Sequence, residues 1–179
     1  MKKRWFFLLL VVCLTVIAAI AETVPEPPEN GLRLYYPYAA QTEERRSSAI
    51  GSEPYQGPVG AAPAEFPGPR LLLEAQLRGP VDEKLESPFP EGMVLENWRW
   101  DPDRKGNLQV RFSEQYSGLS DISLTLADYC IVLTLCQLPG VQTVEISSAG
   151  HAVGYRSHRI FSAQEVLLTD SVAVDGALS

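Results

Sequence analysis

The sequence predicts an α+β domain, a two-layer sandwich in which a twisted, mostly antiparallel sheet carries two helices packed on one face. Apolar residues between Leu119 and Ile146 first recur at helical spacing and then, after a Pro-Gly turn, follow a strand pattern. A shorter helical pattern runs from Arg70 to Arg78. Alternating patterns over Met93–Trp100 and Leu108–Ser113 predict a hairpin. Helices and strands in this mixed order are typical of the α+β class.

Composition limits the kinds of partner that the chain can have. The 179 residues allow one domain with appendages, and the formal net charge is -7. Without Lys2, Lys3 and Arg4, 12 basic residues face 22 acidic ones, a balance of -10. A domain this acidic is repelled by nucleic-acid phosphates and by anionic lipids. We therefore expect no nucleic-acid partner, and membrane contact only through the N-terminal segment.

The N-terminus has the features of an export signal. Three basic residues precede the apolar run Trp5–Ala21, and Ala19-Ile20-Ala21 before Glu22 fits a small-x-small cleavage site. Residues 1–21 are therefore predicted to be a signal peptide or an uncleaved N-terminal membrane anchor. Cys13 lies in the middle of the run and does not fit a lipoprotein attachment site. Both alternatives place the rest of the chain at the extracytoplasmic face of the membrane or outside the cell.

Composition also divides the chain after residue 21 into a linker, a domain and a tail. Residues 22–30 are acidic and Pro-rich, as in a linker, and residues 171–179 are predicted to be a flexible tail. The domain itself is expected over residues 31–170, with a long Pro/Gly-rich loop at 39–69. Leu32–Tyr36 is predicted to be the first strand, and an irregular second strand is expected within Ala49–Gln56.

The first helix is expected over Arg70–Arg78, with Pro69 in its first turn and Gly79-Pro80 as its stop. Leu73 and Leu77, one turn apart, predict its buried face. In the hairpin, Asp101–Asn107 supplies the turn. Each strand has one apolar face: Val94, Trp98 and Trp100 in the first, and Leu108, Val110 and Phe112 in the second.

The long helix carries two apolar stripes, so it needs a sheet on one side and a second helix on the other. Ser120 or Asp121 is expected to cap it, and Pro139-Gly140 to end it. The first stripe is Ile122, Leu126, Tyr129 and Leu133; the second is Leu124, Ile131 and Leu135. Val141–Ser147 is the expected strand, with a return into His151–Tyr155, and Ser162–Glu165 has capping-box form.

Candidate chemical sites are few, and each has a plainer structural interpretation. His151 and His158 can form a metal pair or supply a general base, but without nearby acids they are more typical of surface or cap residues. Asp101, Asp103 and Asn107 can hold Ca²⁺, although the spacing is not that of an EF-hand and favours a plain turn. We therefore predict no catalytic residues, no metal site and no cofactor.

Two further groups of residues have structural and functional interpretations. Trp98, Trp100 and Tyr116 can form an aromatic platform for a sugar or peptidoglycan, but aromatic residues more often pack a core or a strand face. Cys130 and Cys136 are expected to be small buried hydrophobes, with an intermolecular disulfide as the alternative. Arg45-Arg46 is interpreted as a solvated loop pair.

Five short segments, in order along the chain, carry a resemblance to a known family: Leu34-Tyr35-Tyr36, Leu71–Pro80, Ser87–Leu95, Val110–Glu114 and Leu133–Ile146. They extend over about Leu32 to Tyr155, and the Gly-Pro after the first helix together with the Leu-Pro-Gly-Val turn is the most specific part. These segments resemble the GerM-type (GerMN) domain of sporulation and spore germination. The chain departs from the family in its long loop at 39–69 and in carrying His151 and Tyr155 where an apolar strand is usual.

The resemblance implies a non-enzymatic domain that binds an envelope protein partner, or itself, in sporulation or germination. The alternative is a secreted domain that binds the cell wall or a small ligand. A secreted hydrolase using His151 or His158 is a third hypothesis.

Overall fold

Six strands and two helices form the domain in this computed structural model, which describes residues 31–44, 48–57, 67–149 and 159–166. Strands β1 (Arg33–Pro37) and β2 (Ile50–Pro54) pair antiparallel as a two-stranded sheet. The other four strands form a second sheet in sequence order: β3 (Leu95–Trp100), β4 (Asn107–Phe112), β5 (Thr143–Ser148) and β6 (Arg159–Ser162). Its outer pairs are antiparallel, and β4 and β5 are parallel. The predicted α+β class is confirmed, but the strands form two sheets where one was expected.

Helix α1 (Pro69–Leu77) begins with Pro at its first position and is followed by Gly79 at φ 89°. A proline fits a first helical turn and a glycine fits this left-handed stop, so the predicted helix is confirmed. Its buried face is wider than predicted, because Leu72, Leu73, Ala75 and Gln76 are buried while Leu77 is only half-buried.

Helix α2 (Asp121–Leu135) connects β4 to its parallel neighbour β5, after a short 3₁₀ helix at Glu114–Gly118. Ser120 lies at the N-cap, and its N–H donates to Ser123 Oγ at 3.3 Å. Beyond the helix, Val141 N donates to Leu138 O at 3.1 Å and Gly140 has φ 82°. Proline followed by a left-handed glycine is the pattern of a type II turn, which explains why the chain reverses here.

The two apolar stripes of α2 differ in how deeply they are buried. All three residues of the second stripe, Leu124, Ile131 and Leu135, are buried, because α2 packs on α1, β1 and β5. Along the first stripe burial rises toward the C-terminal end, from Ile122 at 75% exposure to Leu133 at 8%. The expectation of a continuous buried stripe is therefore wrong for its first turn.

A bulge between Leu95 and Asn97 shifts the pattern of β3. Leu95, not Val94, lies opposite the buried Phe112 and is itself buried, whereas Val94 is 54% exposed. After the bulge, Trp98 lies opposite Val110 and Trp100 opposite Leu108, so the predicted hairpin is confirmed. One extra residue in a strand moves the following side chains to the other face, so Val94 does not share the face of the tryptophans.

The outer edge of β1 is sealed by side chains rather than by a strand. Gln137 accepts from Arg33 N at 2.9 Å and donates to Arg33 O at 2.8 Å. Tyr35 N donates to Thr134 Oγ1 at 3.2 Å, and Gln76 Nε2 donates to Tyr35 O at 2.9 Å. Backbone groups at a strand edge require partners. Here α1, α2 and the turn after α2 supply them, and the same bonds hold β1 to the helical layer.

Other predicted segments lie outside the described residues. These are the leader at 1–21, the linker at 22–30, the tail at 171–179 and the strand at His151–Tyr155, together with residues 45–47 and 58–66 of the predicted loop. The strand found next to β5 is Arg159–Ser162, which the sequence analysis did not predict. The capping box at its end is confirmed: Ser162 N donates to Glu165 Oε2 at 2.8 Å, and Glu165 N donates to Ser162 Oγ at 3.3 Å.

Candidate binding surfaces

Trp98 and Trp100 lie on the edge strand β3 and form what we call the tryptophan edge. Trp98 is half-buried against the core, and Trp100 is 45% exposed. The indole of Trp100 covers the turn after α2: a Cβ built on Gly140 would lie 3.9 Å from its Cη2. The backbone of β3 is less open, since Trp98 N donates to Asn97 Oδ1 at 2.8 Å. The edge therefore presents aromatic side chains more than free strand hydrogen bonds.

Tyr116 does not join this surface. Its side chain is 4% exposed, its ring stacks on Phe112 at 5.6 Å between centroids, and its hydroxyl donates to Asp128 Oδ1. Asp128, on α2, is also buried. Of the two interpretations, core packing is therefore the correct one for Tyr116, because its side chain anchors the 3₁₀ helix inside the core.

The turn Asp101–Asn107 is held together by its own side chains. Asn107 Nδ2 donates to Asp101 Oδ2 at 2.9 Å, and Asp103 N donates to Asp101 Oδ1 at 2.9 Å. The hydrogen bond from Asn107 is the main reason why the pKa of Asp101 is lowered. Asn107 Oδ1 is occupied by Thr143 Oγ1 at 2.9 Å. These oxygens stabilise the turn, which supports the structural interpretation of the three residues.

The remaining polar and thiol candidates among the described residues show no sign of a chemical site. Within the described residues, no three His, Cys, Asp or Glu side chains gather as a metal site would require. Burial raises the pKa of the Cys130 thiol, and that of Cys136 to about 11. Ser113 Oγ accepts from Val94 N at 3.0 Å, a strand-end role. His151, His158 and the Arg45-Arg46 pair lie outside the described residues.

A cleft that the sequence analysis missed lies between the end of β2 and the C-terminal end of α1. Its volume is about 330 Å³. Leu34, Ala75 and Val81 give it apolar walls, and Glu53, Tyr55 and Arg78 are its ionisable lining residues. Sequence spacing does not reveal this group, because its members come from separate elements that meet only in the folded chain.

Glu53 fixes the shape of the cleft. Its side chain is only 9% exposed, and its Oε2 accepts from the N–H groups of Val81 and Asp82, both at 2.9 Å. A carboxylate that receives two backbone hydrogen bonds holds a loop firmly. Nearby, burial raises the pKa of Tyr55, and the positive charge of Arg78 partly opposes this shift. Arg78 and Tyr55 line the same cleft.

No helix within the described ranges is both long enough and apolar enough to cross a bilayer.

Comparison with known proteins gives a family match over most of the described domain. The family model Germane, described as sporulation and spore germination, matches residues 33–154. No match was found among curated proteins.

Among solved structures, the tandem GerMN domains of the sporulation protein GerM from Bacillus subtilis are 19% identical, with a TM-score of 0.46. That match covers 73% of this chain but only 43% of the tandem-domain chain. A Clostridium perfringens chain assigned as a lipoprotein is 15% identical, with a TM-score of 0.45 and coverage of 80% and 95%. The first GerMN domain of the same Bacillus subtilis protein is 12% identical, with a TM-score of 0.40 and coverage of 64% and 84%.

Proposed function

Because the chain belongs to the Germane family of sporulation and spore germination domains, we propose that it is a non-enzymatic, exported module that binds an envelope protein. Export is supported by the basic residues Lys2–Arg4 followed by the apolar run Trp5–Ala21. A role in sporulation or germination is supported by the family description. The proposal predicts that deleting the gene in a spore-forming host lowers the yield of heat-resistant spores or delays their germination.

The exposed tryptophan edge is the observation that carries the binding role. Tryptophan is enriched among the residues that dominate protein interfaces, since it buries a large area with few rotatable bonds. Trp100 is 45% exposed and is backed by a rigid Pro-Gly turn. Competing edges are less suitable: side chains seal β1, and in β2 Ser48 Oγ donates to Ile50 O at 2.8 Å. We therefore place the partner, another envelope protein or a second copy, on the tryptophan edge.

Co-purification from native membranes tests this proposal, with the full chain tagged after Ser179. We expect the wild-type chain to recover one stable envelope partner or a second copy of itself. Trp100→Ala is expected to weaken this interaction by at least about 2 kcal/mol, or roughly 30-fold, as for a central interface aromatic. Leu71→Ala is the matched control, since Leu71 is also an exposed apolar residue, at 41%, but lies on α1.

Equal recovery by Trp100→Ala and Leu71→Ala would remove the tryptophan edge from the proposal. A wild-type chain that returns from the membrane alone and monomeric would contradict the binding role itself. Thermal melting of both variants confirms that each is folded.

A second candidate function is binding of a cell-wall fragment or another small ligand. The cleft favours it, because Glu53, Tyr55 and Arg78 place charged and aromatic groups beside apolar walls. Binding sites for small molecules commonly combine an apolar lining with a few polar groups in this way.

A further inference from the structure

Arg78 is a cation without an acidic partner in the described part of the chain. The ion pairs found there use Arg70, Lys84 and Arg111. No described carboxylate lies within ion-pair distance of its guanidinium, so the fold itself does not neutralise this charge. Its place at the C-cap of α1 suits a positive charge near the helix C-terminus. Arg78 also lines the cleft, so the N–H groups of its guanidinium can donate to a bound ligand.

Glu53 offers the opposite chemistry in the same cleft. Both of its described hydrogen bonds use Oε2, which leaves Oε1 as a second acceptor. Among the described residues, the one fully buried side-chain nitrogen or oxygen without a hydrogen bond is Gln76 Oε1. Glu53 Oε1 also has no hydrogen bond to a described residue but is not in that class, so it keeps some contact with solvent. A side chain that is 9% exposed and lines the cleft therefore presents an acceptor to whatever enters.

We infer that this cleft binds a short peptide or amino-acid derivative through its free carboxylate. The carboxylate pairs with the Arg78 guanidinium, whose geometry suits two parallel hydrogen bonds. An N–H of the ligand donates to Glu53 Oε1, and its apolar side chain packs on Leu34 and Ala75. The volume of about 330 Å³ lies at the lower end of the ~300–1,000 Å³ range of small-ligand sites, which suits one or two residues.

This inference names a ligand class for the second candidate function and does not depend on the protein partner. The cleft and the tryptophan edge share no residue. Trp100→Ala should leave ligand binding unchanged, and a substitution of Arg78 should leave partner recovery unchanged. Failure of one proposal is thereby distinguished from failure of the other.

The test is isothermal titration of the purified full chain with N-acetyl-alanyl-alanine and with its C-terminal carboxamide. The two probes differ only in the charged group that Arg78 is inferred to bind. We expect the carboxylate to bind at least about tenfold more tightly, as for one charge-assisted hydrogen-bonded pair. Arg78→Gln should make the two affinities equal. Arg99→Gln is the matched control, because Arg99 is exposed on β3 and donates to Gln109 Oε1 at 2.6 Å.

Equal affinity of the wild-type chain for both probes would overturn the inference, as would a carboxylate preference that survives in Arg78→Gln. Absence of binding of the carboxylate probe at ~10 mM would also overturn it, because such a site would be weaker than known small-ligand sites of this size. The comparison of the two probes on the wild-type chain needs no variant, so the inference remains testable if Arg78→Gln fails to fold.

Discussion

Gln76 is fully buried although it is polar, and it joins three elements of the domain. Its Nε2 donates to Tyr35 O at 2.9 Å, to Cys130 O at 3.0 Å and to Thr134 Oγ1 at 2.9 Å. Its backbone carbonyl accepts from the Tyr36 hydroxyl at 3.0 Å. The side-chain amide of one residue on α1 thus links α1 to both β1 and α2. Buried polar groups that are paired in this way specify how elements meet.

Replacing Gln76 with Ala should therefore be costly. The change removes the shared donor of Tyr35 O, Cys130 O and Thr134 Oγ1 and opens a cavity, so we expect a loss of about 2–4 kcal/mol in the free energy of unfolding. Urea denaturation measures the loss. Glu74→Ala, on the exposed side of the same helix, is the control and should cost about 0.5 kcal/mol or less. Similar costs for the two variants would mean that the Gln76 network contributes little.

The first stripe of α2 shows, at the scale of one element, what periodicity can and cannot predict. Helical spacing places Ile122 and Leu133 on the same side, yet only Leu133 is buried. We expect Leu133→Ala to destabilise the domain by about 2–5 kcal/mol and Ile122→Ala to change stability by about 0.5 kcal/mol or less. Thermal or urea unfolding compares them. A large cost at Ile122 would indicate that its exposed side chain is covered by something else.

The elements that the sequence predicted share one property: their signals are local. The hairpin, both helices and the Leu138–Val141 turn follow from apolar spacing, Pro and Gly. The bulge at Leu95 was missed because Val94 and Leu95 are both apolar, so the sequence does not show which of them faces the core. Strand β6 was missed because Arg159–Ser162 is short and not strongly apolar.

The candidate sites, too, could be predicted only where their signal is local in the sequence. Trp98 and Trp100 were placed on one face of a strand because alternation is a property of their own segment, whereas the edge position of β3 appears only in the folded sheet. For Tyr116, core packing was the favoured interpretation, but its contacts with Phe112 and Asp128 are tertiary and do not follow from the spacing of residues. The cleft was invisible for the same reason, since Glu53 meets Val81 and Asp82 only after β2 and α1 have packed.

For the whole molecule, the separation of the strands into two sheets implies two levels of local stability. Strand β1 is paired to β2 but joins the rest of the domain mainly through α1 and α2. The four-stranded sheet is instead held together at its centre by the pairing of β4 with β5. Regions held by fewer contacts open at lower free energy than a central sheet. The β1–β2 pair is therefore expected to open before the central strands β4 and β5.

Gln137 is the residue on which this difference can be tested, because its amide bonds both Arg33 N and Arg33 O. In Gln137→Ala, we expect the amide protons of β1 to exchange about tenfold faster or more, since each lost hydrogen bond contributes about 1 kcal/mol. Protection of β4 and β5 should be unchanged. Gln142→Ala, an exposed glutamine in the next turn, is the matched control. Uniform loss of protection across both sheets would show that the domain opens as one cooperative unit, with β1 as tightly held as the central strands.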